Sequence, residues 1–449
     1  MADGAYRFDY AFLPGGWQAD LRVTISDGKI TALGGDGPAT HVKGAALPGL
    51  PNLHSHTFQR GMAGLAERRG PASDSFWTWR EVMYRFLGAL TPDDVEAIAA
   101  MAMVEMLEGG FTSLAEFHYL HHAADGAPYA DPAELAGRIV AAAHQTGIGL
   151  TLLPVFYAQG GFGGQAAQPG QRRFVSRDAD AFARLQDAAR VHTARHGMTL
   201  GGAPHSLRAV TPDQLKAFIA ASPEGPIHIH VAEQTREVDD CLAWSGQRPV
   251  RWLLDHAPVD PRWCLIHATH MDAGEVHDMA KTGAVAGLCP ITEANLGDGV
   301  FAGVDFRDHG GVYGVGSDSN VEIDAPGELR LFEYGQRLFH RGRNLMAGAE
   351  GASTGEALYR AALTGGAQAL GQNVGAIAIG QRADFVVLDT THPAFGPKPE
   401  NWLDSYIFNA GRNAIATVIA GGIVQVDHGR HKARDGIAAR FRQTLNRVL

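Results

Sequence analysis

Leu50-Pro-Asn-Leu-His-Ser-His56 is a short apolar run whose end carries two imidazoles one residue apart. Side chains along a strand alternate between faces, so His54 and His56 point the same way. The run spans residues 46–53, and seven similar ones follow at 112–117, 149–157, 199–204, 226–232, 263–268, 284–289 and 312–317. Longer amphipathic stretches lie between them, such as 92–108, 131–146, 181–196 and 211–221, and these read as helices. Eight runs alternating with helices over about 320 residues predict an α/β fold of the (β/α)8 barrel type. A doubly wound open sheet would give a similar alternation. The polar residues add weight to the barrel. His54, His56, Glu116, Tyr119, His205, His230, Glu233, His267 and Asp318 all fall at or just past the ends of the runs. In a barrel those ends form one rim, where active sites are built.

Outside the barrel pattern the two chain ends read as strands. Leu21-Arg-Val-Thr-Ile-Ser26 alternates, Asp27-Gly28 is a hairpin signal, and Lys29-Ile-Thr-Ala-Leu33 follows. Near the other end, residues 383–389 and 414–420 read as strands, and Gly421-Gly422 turns the chain into Ile423-Val-Gln-Val426. The two ends, 1–46 and 372–449, are expected to build one small discontinuous β-sandwich domain beside a barrel at 47–371. The stretch 57–90 is a long insertion after the first barrel strand and a candidate cover for the pocket. The Gly-rich stretch 159–170 reads as a mobile loop.

Bulk properties exclude several classes. The chain has 449 residues, enough for a large barrel plus an accessory domain. Hydrophobic residues make up 45%, so a sizeable core can form. The formal net charge of −10, with both signs interspersed, gives no basic footprint for nucleic acid. No apolar run reaches the ~18 residues needed to span a membrane. The first ten residues carry no apolar signal segment. Cys241, Cys264 and Cys289 lack CxxC spacing and read as free thiols, which suits a reducing, cytoplasmic compartment.

Four elements carry the chemistry. His54 and His56 can share one Zn2+ or similar ion. His228-Ile-His230-Val-Ala-Glu233 follows the fifth run. One of its histidines could complete a facial trio, but spacing alone does not choose between them; a hydrogen-bonded interior role is the better reading for His228. His267 ends the sixth run, and Asp318 ends the last in Gly314-Val-Gly-Ser-Asp-Ser-Asn320. An aspartate there can touch a metal with one oxygen and take a proton from water with the other.

These residues resemble the amidohydrolase superfamily. The similarity lies in Leu50–His56, His230-Val-Ala-Glu233, Ile266-His267, Gly316-Ser-Asp318 and the stretch 375–389, and it covers essentially the whole chain. It implies metal binding by His54, His56, His230 and Asp318, and places His267 at the family's strand-six histidine. Two-metal members carry a lysine or glutamate after the fourth strand. Here that place reads Gly201-Gly-Ala-Pro-His-Ser-Leu-Arg208, so one divalent ion per subunit, zinc by preference, is expected. His267 and Asp318 would accept a proton from water, and Glu233 would carry one to a departing nitrogen.

Arginines narrow the substrate. Arg80 lies in Phe76-Trp-Thr-Trp-Arg80, and Arg208 lies four residues past the fourth run. Cationic forks of this kind suit carboxylates rather than a neutral ring. The stretches His54–Gly64, Asp74–Arg80, Glu116–Tyr119, Ala203–Arg208 and His228–Gln234 resemble the branch that deiminates N-formimino-L-glutamate in histidine degradation. That resemblance implies a small dicarboxylate amidine as substrate, held by Gln59, Arg80, Tyr119, His205 and Arg208, and a homodimeric enzyme. A nucleobase-type deaminase, an imidazolonepropionase and a non-catalytic barrel scaffold are the competing readings. Glu116, His121 and His122 are expected to serve packing or the surface.

Overall fold

A computed structural model describes residues 3–69, 75–222 and 224–449. Asp74, part of one motif above, and the first two residues lie outside the described residues.

The eight barrel strands are Leu50–Ser55, Phe111–His118, Gly149–Phe156, an interrupted fourth made of Thr199–Leu200 and Ala203–Pro204, then Ile227–Val231, Trp263–His267, Val285–Leu288 and Val312–Val315. Neighbours pair in parallel. Parallel bridges Gly202–Ile227 and Ser206–His230 join strands four and five, and Ser55–Asp318 joins eight to one, so the ring closes. The fourth strand breaks at Gly201-Gly202, where flexible backbone and the missing N–H of Pro204 weaken the ladder. Gly316 allows the final closure. A Cβ there would sit 2.6 Å from the His54 carbonyl oxygen, so only glycine lets strand eight approach the metal-site strand this closely.

Helices cover the barrel. Pro92–Glu108 starts where the sequence predicts, with Thr91 and Asp94 forming a capping box and Pro92 in the first turn. Glu134–Thr146, Ala179–Arg195 and Pro212–Ala221 match the other expected helices. The last helix, Arg434–Val448, packs on Pro92–Glu108, with Arg434 paired to Glu108 and Arg447 to Asp94. That second layer explains why Pro92–Glu108 is buried on nearly every face.

The chain ends meet in one eight-stranded sheet. Its join is the strand Thr40–Pro48, parallel to Gly4–Leu13 on one side and antiparallel to Phe385–Leu388 on the other. The hairpin Gly16–Ser26 to Lys29–Leu33 turns through Asp27 and Gly28, both at positive φ (51° and 72°), as a two-residue hairpin requires. A separate hydrophobic core, including Phe8, Leu21, Val23, Phe385 and Val387, lies within this sheet unit.

The insertion after strand one forms a short 3-10 turn, Thr57–Met62, and a helix, Phe76–Leu87. The stretch 159–170 folds back on itself: the Gly160 N–H donates to the Gln165 carbonyl (2.7 Å), and the Phe162 ring stacks on Trp244. No helix is long and apolar enough to cross a membrane among the described residues.

Candidate active site

At the C-terminal rim one ligand atom from each of His54, His56, His230 and Asp318 falls within 4.8 Å of the others. His54 Nε2 lies 3.2 Å from His56 Nε2 and 3.1 Å from His230 Nε2. Asp318 Oδ1 lies 3.5 Å from His54 Nε2 and 3.3 Å from His56 Nε2. Backbone carbonyls fix the tautomers of two of the three rings. His56 Nδ1 donates to the Phe117 carbonyl (2.9 Å) and His230 Nδ1 to the His205 carbonyl (3.1 Å). A carbonyl only accepts, so in each neutral ring Nε2 presents a lone pair. These lone pairs face one another around a carboxylate oxygen, an arrangement that repels itself unless a cation sits among them. The donor set of three imidazoles and one carboxylate fits a divalent metal.

Electrostatics agree with that reading. Burial lowers His54 to about 3 despite its hydrogen bond to Asp318, and burial with the four neighbouring imidazoles of His54, His205, His56 and His267 lowers His230 well below the usual histidine range. The rings are therefore neutral, as ligands must be. Burial alone would raise the Asp318 carboxyl. The His54 hydrogen bond and the surrounding imidazoles instead hold it well below the carboxylate range.

His267 and Glu233 stand beside this cluster. His267 Nε2 lies 3.8 Å from Asp318 Oδ2 and 3.9 Å from Glu233 Oε1. Its Nδ1 donates to Glu293 Oε1 at 3.1 Å. Burial opposes charge on His267, but Glu233, Glu293 and Asp318 raise it to about 10. Burial raises Glu233 to about 7 against the pull of His267 and Arg208. Two side chains in one pocket, one held ready to carry a proton near neutrality, are a common acid–base arrangement.

Backbone strain is concentrated here. Ala232, His267, Ala268, Asp318 and Asn320 all have positive φ, between 42° and 67°. These turns swing Glu233, His267 and Asp318 over the rim toward one space. A hydrogen-bond network secures the strand-eight turn: Asn320 Nδ2 donates to the His56 and Asp318 carbonyls, and Ser317 Oγ donates to Asn320 Oδ1.

Every site residue expected from the sequence except His54 lines the same cavity: His56, Gln59, Arg80, Tyr119, His205, Arg208, His230, Glu233, His267 and Asp318. His54 is fully buried behind it. The helix Phe76–Leu87 supplies Phe76, Trp79, Arg80, Met83 and Tyr84 to the wall, so the insertion does cover the pocket. Gln59 Nε2 donates to the Tyr119 hydroxyl (2.8 Å), which leaves Gln59 Oε1 buried without a partner. Arg208 Nη2 lies 4.0 Å from Glu237 Oε2. Phe117, on strand two, packs against the rings of His54, His56, His205 and His230 and serves as their common floor.

The residues read as structural are so placed. His228 Nε2 donates to the Ala369 carbonyl (2.8 Å), His121 Nε2 to Val155 and His122 Nε2 to Val175. Glu116 is fully buried and accepts from the Thr57 N–H and hydroxyl, one residue past His56. Sequence reasoning missed Glu293 and Glu237. Each lies in the first turn of a helix that follows a barrel strand, and that position is the only signal either gives.

The chain belongs to the amidohydrolase family, whose model matches residues 45–424; the family is metal-dependent. Within that family it is 50% identical over 445 residues to the formimidoylglutamate deiminase of Pseudomonas aeruginosa, covering 98% of each chain. It is 27% identical to a 5-methylthioadenosine/S-adenosylhomocysteine deaminase of Natronomonas pharaonis, over 91% of this chain and 89% of that one. A crystal structure of an amidohydrolase from Brucella melitensis superimposes with a TM-score of 0.94 at 50% identity, covering 99% of both chains.

Proposed function

We propose that the protein hydrolyses N-formimino-L-glutamate to N-formyl-L-glutamate and ammonia, as a step of histidine degradation. The observation that carries this reading is one cavity with a three-histidine, one-aspartate cluster at its floor and two arginines, Arg80 and Arg208, in its wall. The 50% identity to a formimidoylglutamate deiminase over nearly the full length supports it.

His54, His56, His230 and Asp318 would hold one divalent ion, zinc by preference, for which the neutral imidazoles are suited. When bound, such an ion acts as a Lewis acid that acidifies water. The chain's own residues do the rest. Asp318 accepts the proton of the attacking water as oxygen bonds to the formimino carbon, and His267, held charged by Glu233, Glu293 and Asp318, orients that water. Glu233 carries protons to the departing nitrogen, and the C–N bond breaks. Both hydrogens of water end on that nitrogen, which leaves as ammonia, and the carbon keeps the oxygen as the formyl group. Arg80 and Arg208 bind the two carboxylates, with Gln59, Tyr119 and His205 completing the contacts. A homodimer in the cytoplasm is the setting we infer, in keeping with three buried free cysteines. Incubation with N-formimino-L-glutamate tests the reaction: ammonia and N-formyl-L-glutamate should appear one for one, and ammonia without the formyl product would refute it.

A further inference from the structure

Trp77 does not line the cavity, although Phe76, Trp79 and Arg80 around it do. Its indole is nonetheless shared by three guanidinium groups. The Cζ atoms of Arg80 and Arg236 each lie 4.6 Å from its ring centroid, and that of Arg208 lies 5.9 Å away. Arg80 comes from the same helix, Arg208 from the loop after the fourth barrel strand, and Arg236 from the first turn of the helix Thr235–Ser245. One half-buried ring thus joins the covering helix to two separate parts of the rim.

Three like charges around one ring repel, so each needs an opposing attraction. Arg236 faces Asp240 at 3.6 Å and Arg208 faces Glu237 at 4.0 Å. Arg80 has no carboxylate at ion-pair distance among the described residues, and its Nε is buried without a hydrogen-bond partner. Its attraction comes from ring faces, those of Trp77 and of Tyr84 at 5.6 Å. A guanidinium held by its flat face keeps its N–H edge free, and that edge is what grips a carboxylate.

We propose that Trp77 is a positioning residue that presents the N–H edges of Arg80 and Arg208 to the substrate carboxylates, with Arg236 pinning the indole to the rim. This rests on the reading of Arg80 and Arg208 given above. The test is the kinetics of ammonia release from N-formimino-L-glutamate by Trp77→Leu, Trp77→Phe, Arg236→Met and, as a control, Arg208→Met. Trp77→Leu should raise KM roughly tenfold with kcat changed by less than about threefold. Trp77→Phe, which restores a smaller ring face, should recover much of that loss. Arg236→Met should raise KM a few-fold, roughly as an exposed cation–π contact allows. An unchanged KM in Trp77→Leu, a fall in kcat alone, or equal impairment in Trp77→Leu and Trp77→Phe overturns the proposal. If Trp77→Leu fails to fold, Arg236→Met decides, and an unchanged KM there overturns it. The control separates the two claims. An unchanged KM in Arg208→Met defeats the carboxylate reading itself, whereas a raised KM there with none in Trp77→Leu defeats the Trp77 proposal alone.

Discussion

Glu293 Oε1 accepts the Nδ1 hydrogen of His267 at 3.1 Å and the backbone N–H of Cys289 at 2.9 Å. One carboxylate oxygen therefore fixes both the ring of a residue assigned to orient the attacking water and the end of the seventh barrel strand. It also favours the charged ring. Glu293→Gln keeps the shape and removes the charge. We predict a fall in kcat of roughly tenfold to hundredfold, the usual range for losing such a supporting partner. Bound metal should stay at the wild-type level, since Glu293 touches none of the four clustered ligands. Metal analysis beside steady-state kinetics checks this; unchanged kcat would show that the Glu293 charge does not matter to turnover.

Glu233 lies beside the metal cluster but outside the four residues whose ligand atoms converge. Glu233→Gln should retain a full complement of metal and lose roughly 10²- to 10⁴-fold in kcat, the range for removing a general acid–base group. Loss of metal from the variant would instead make Glu233 a ligand.

Arg208 is largely buried, and its Nε has no hydrogen-bond partner. Arg208→Met should weaken substrate binding by about 2–3 kcal/mol, which raises KM roughly 30- to 150-fold, with a smaller effect on kcat. The variant also leaves Glu237 buried beside an apolar side chain, so a loss of thermal stability should accompany the kinetic change.

Much of this site is legible in the sequence because a barrel puts chemistry at strand ends. His54, His56, His230, His267 and Asp318 each close a short apolar run, and a parallel barrel brings such ends to one rim. The interior assignment of His228 was legible for the same reason, since it lies two residues before the rim. Glu237, Glu293 and Trp77 were not legible. Glu237 follows the turn at Ala232, whose positive φ no glycine signals, while Glu293 and Trp77 lie in the first turns of helices, a position that by itself does not reveal what a side chain reaches. The interrupted fourth strand was hidden too, because residues 199–204 read as one continuous run.

Glu116 yields a prediction about stability. Burial raises its carboxyl from 4.5 to about 8, despite the hydrogen bonds from Thr57. The folded pKa lies above the unfolded one, so between pH 4.5 and about 8 the unfolded chain gives up a proton that the folded chain keeps. Stability from this group is therefore complete below pH 4.5, declines as pH rises, and levels off above about 8. Glu116→Gln removes the dependence while keeping an acceptor for Thr57. Chemical denaturation of both proteins at pH 5, 7 and 9 should show the variant gaining on the wild type as pH rises. A wild type that gains on the variant would mean that Glu116 is ionised in the fold.

The central claim is that the cavity hydrolyses a linear amidine bearing two carboxylates rather than a ring. Its most direct test is kcat/KM for ammonia release from N-formimino-L-glutamate beside guanine, 5-methylthioadenosine and a small panel of cyclic amidines, with the metal-loaded protein. The arginine pair predicts that N-formimino-L-glutamate exceeds every ring compound by roughly 10³-fold or more, as expected when buried charges are left unpaired by a neutral competitor. A purine turned over efficiently, with no ammonia from N-formimino-L-glutamate, would contradict it.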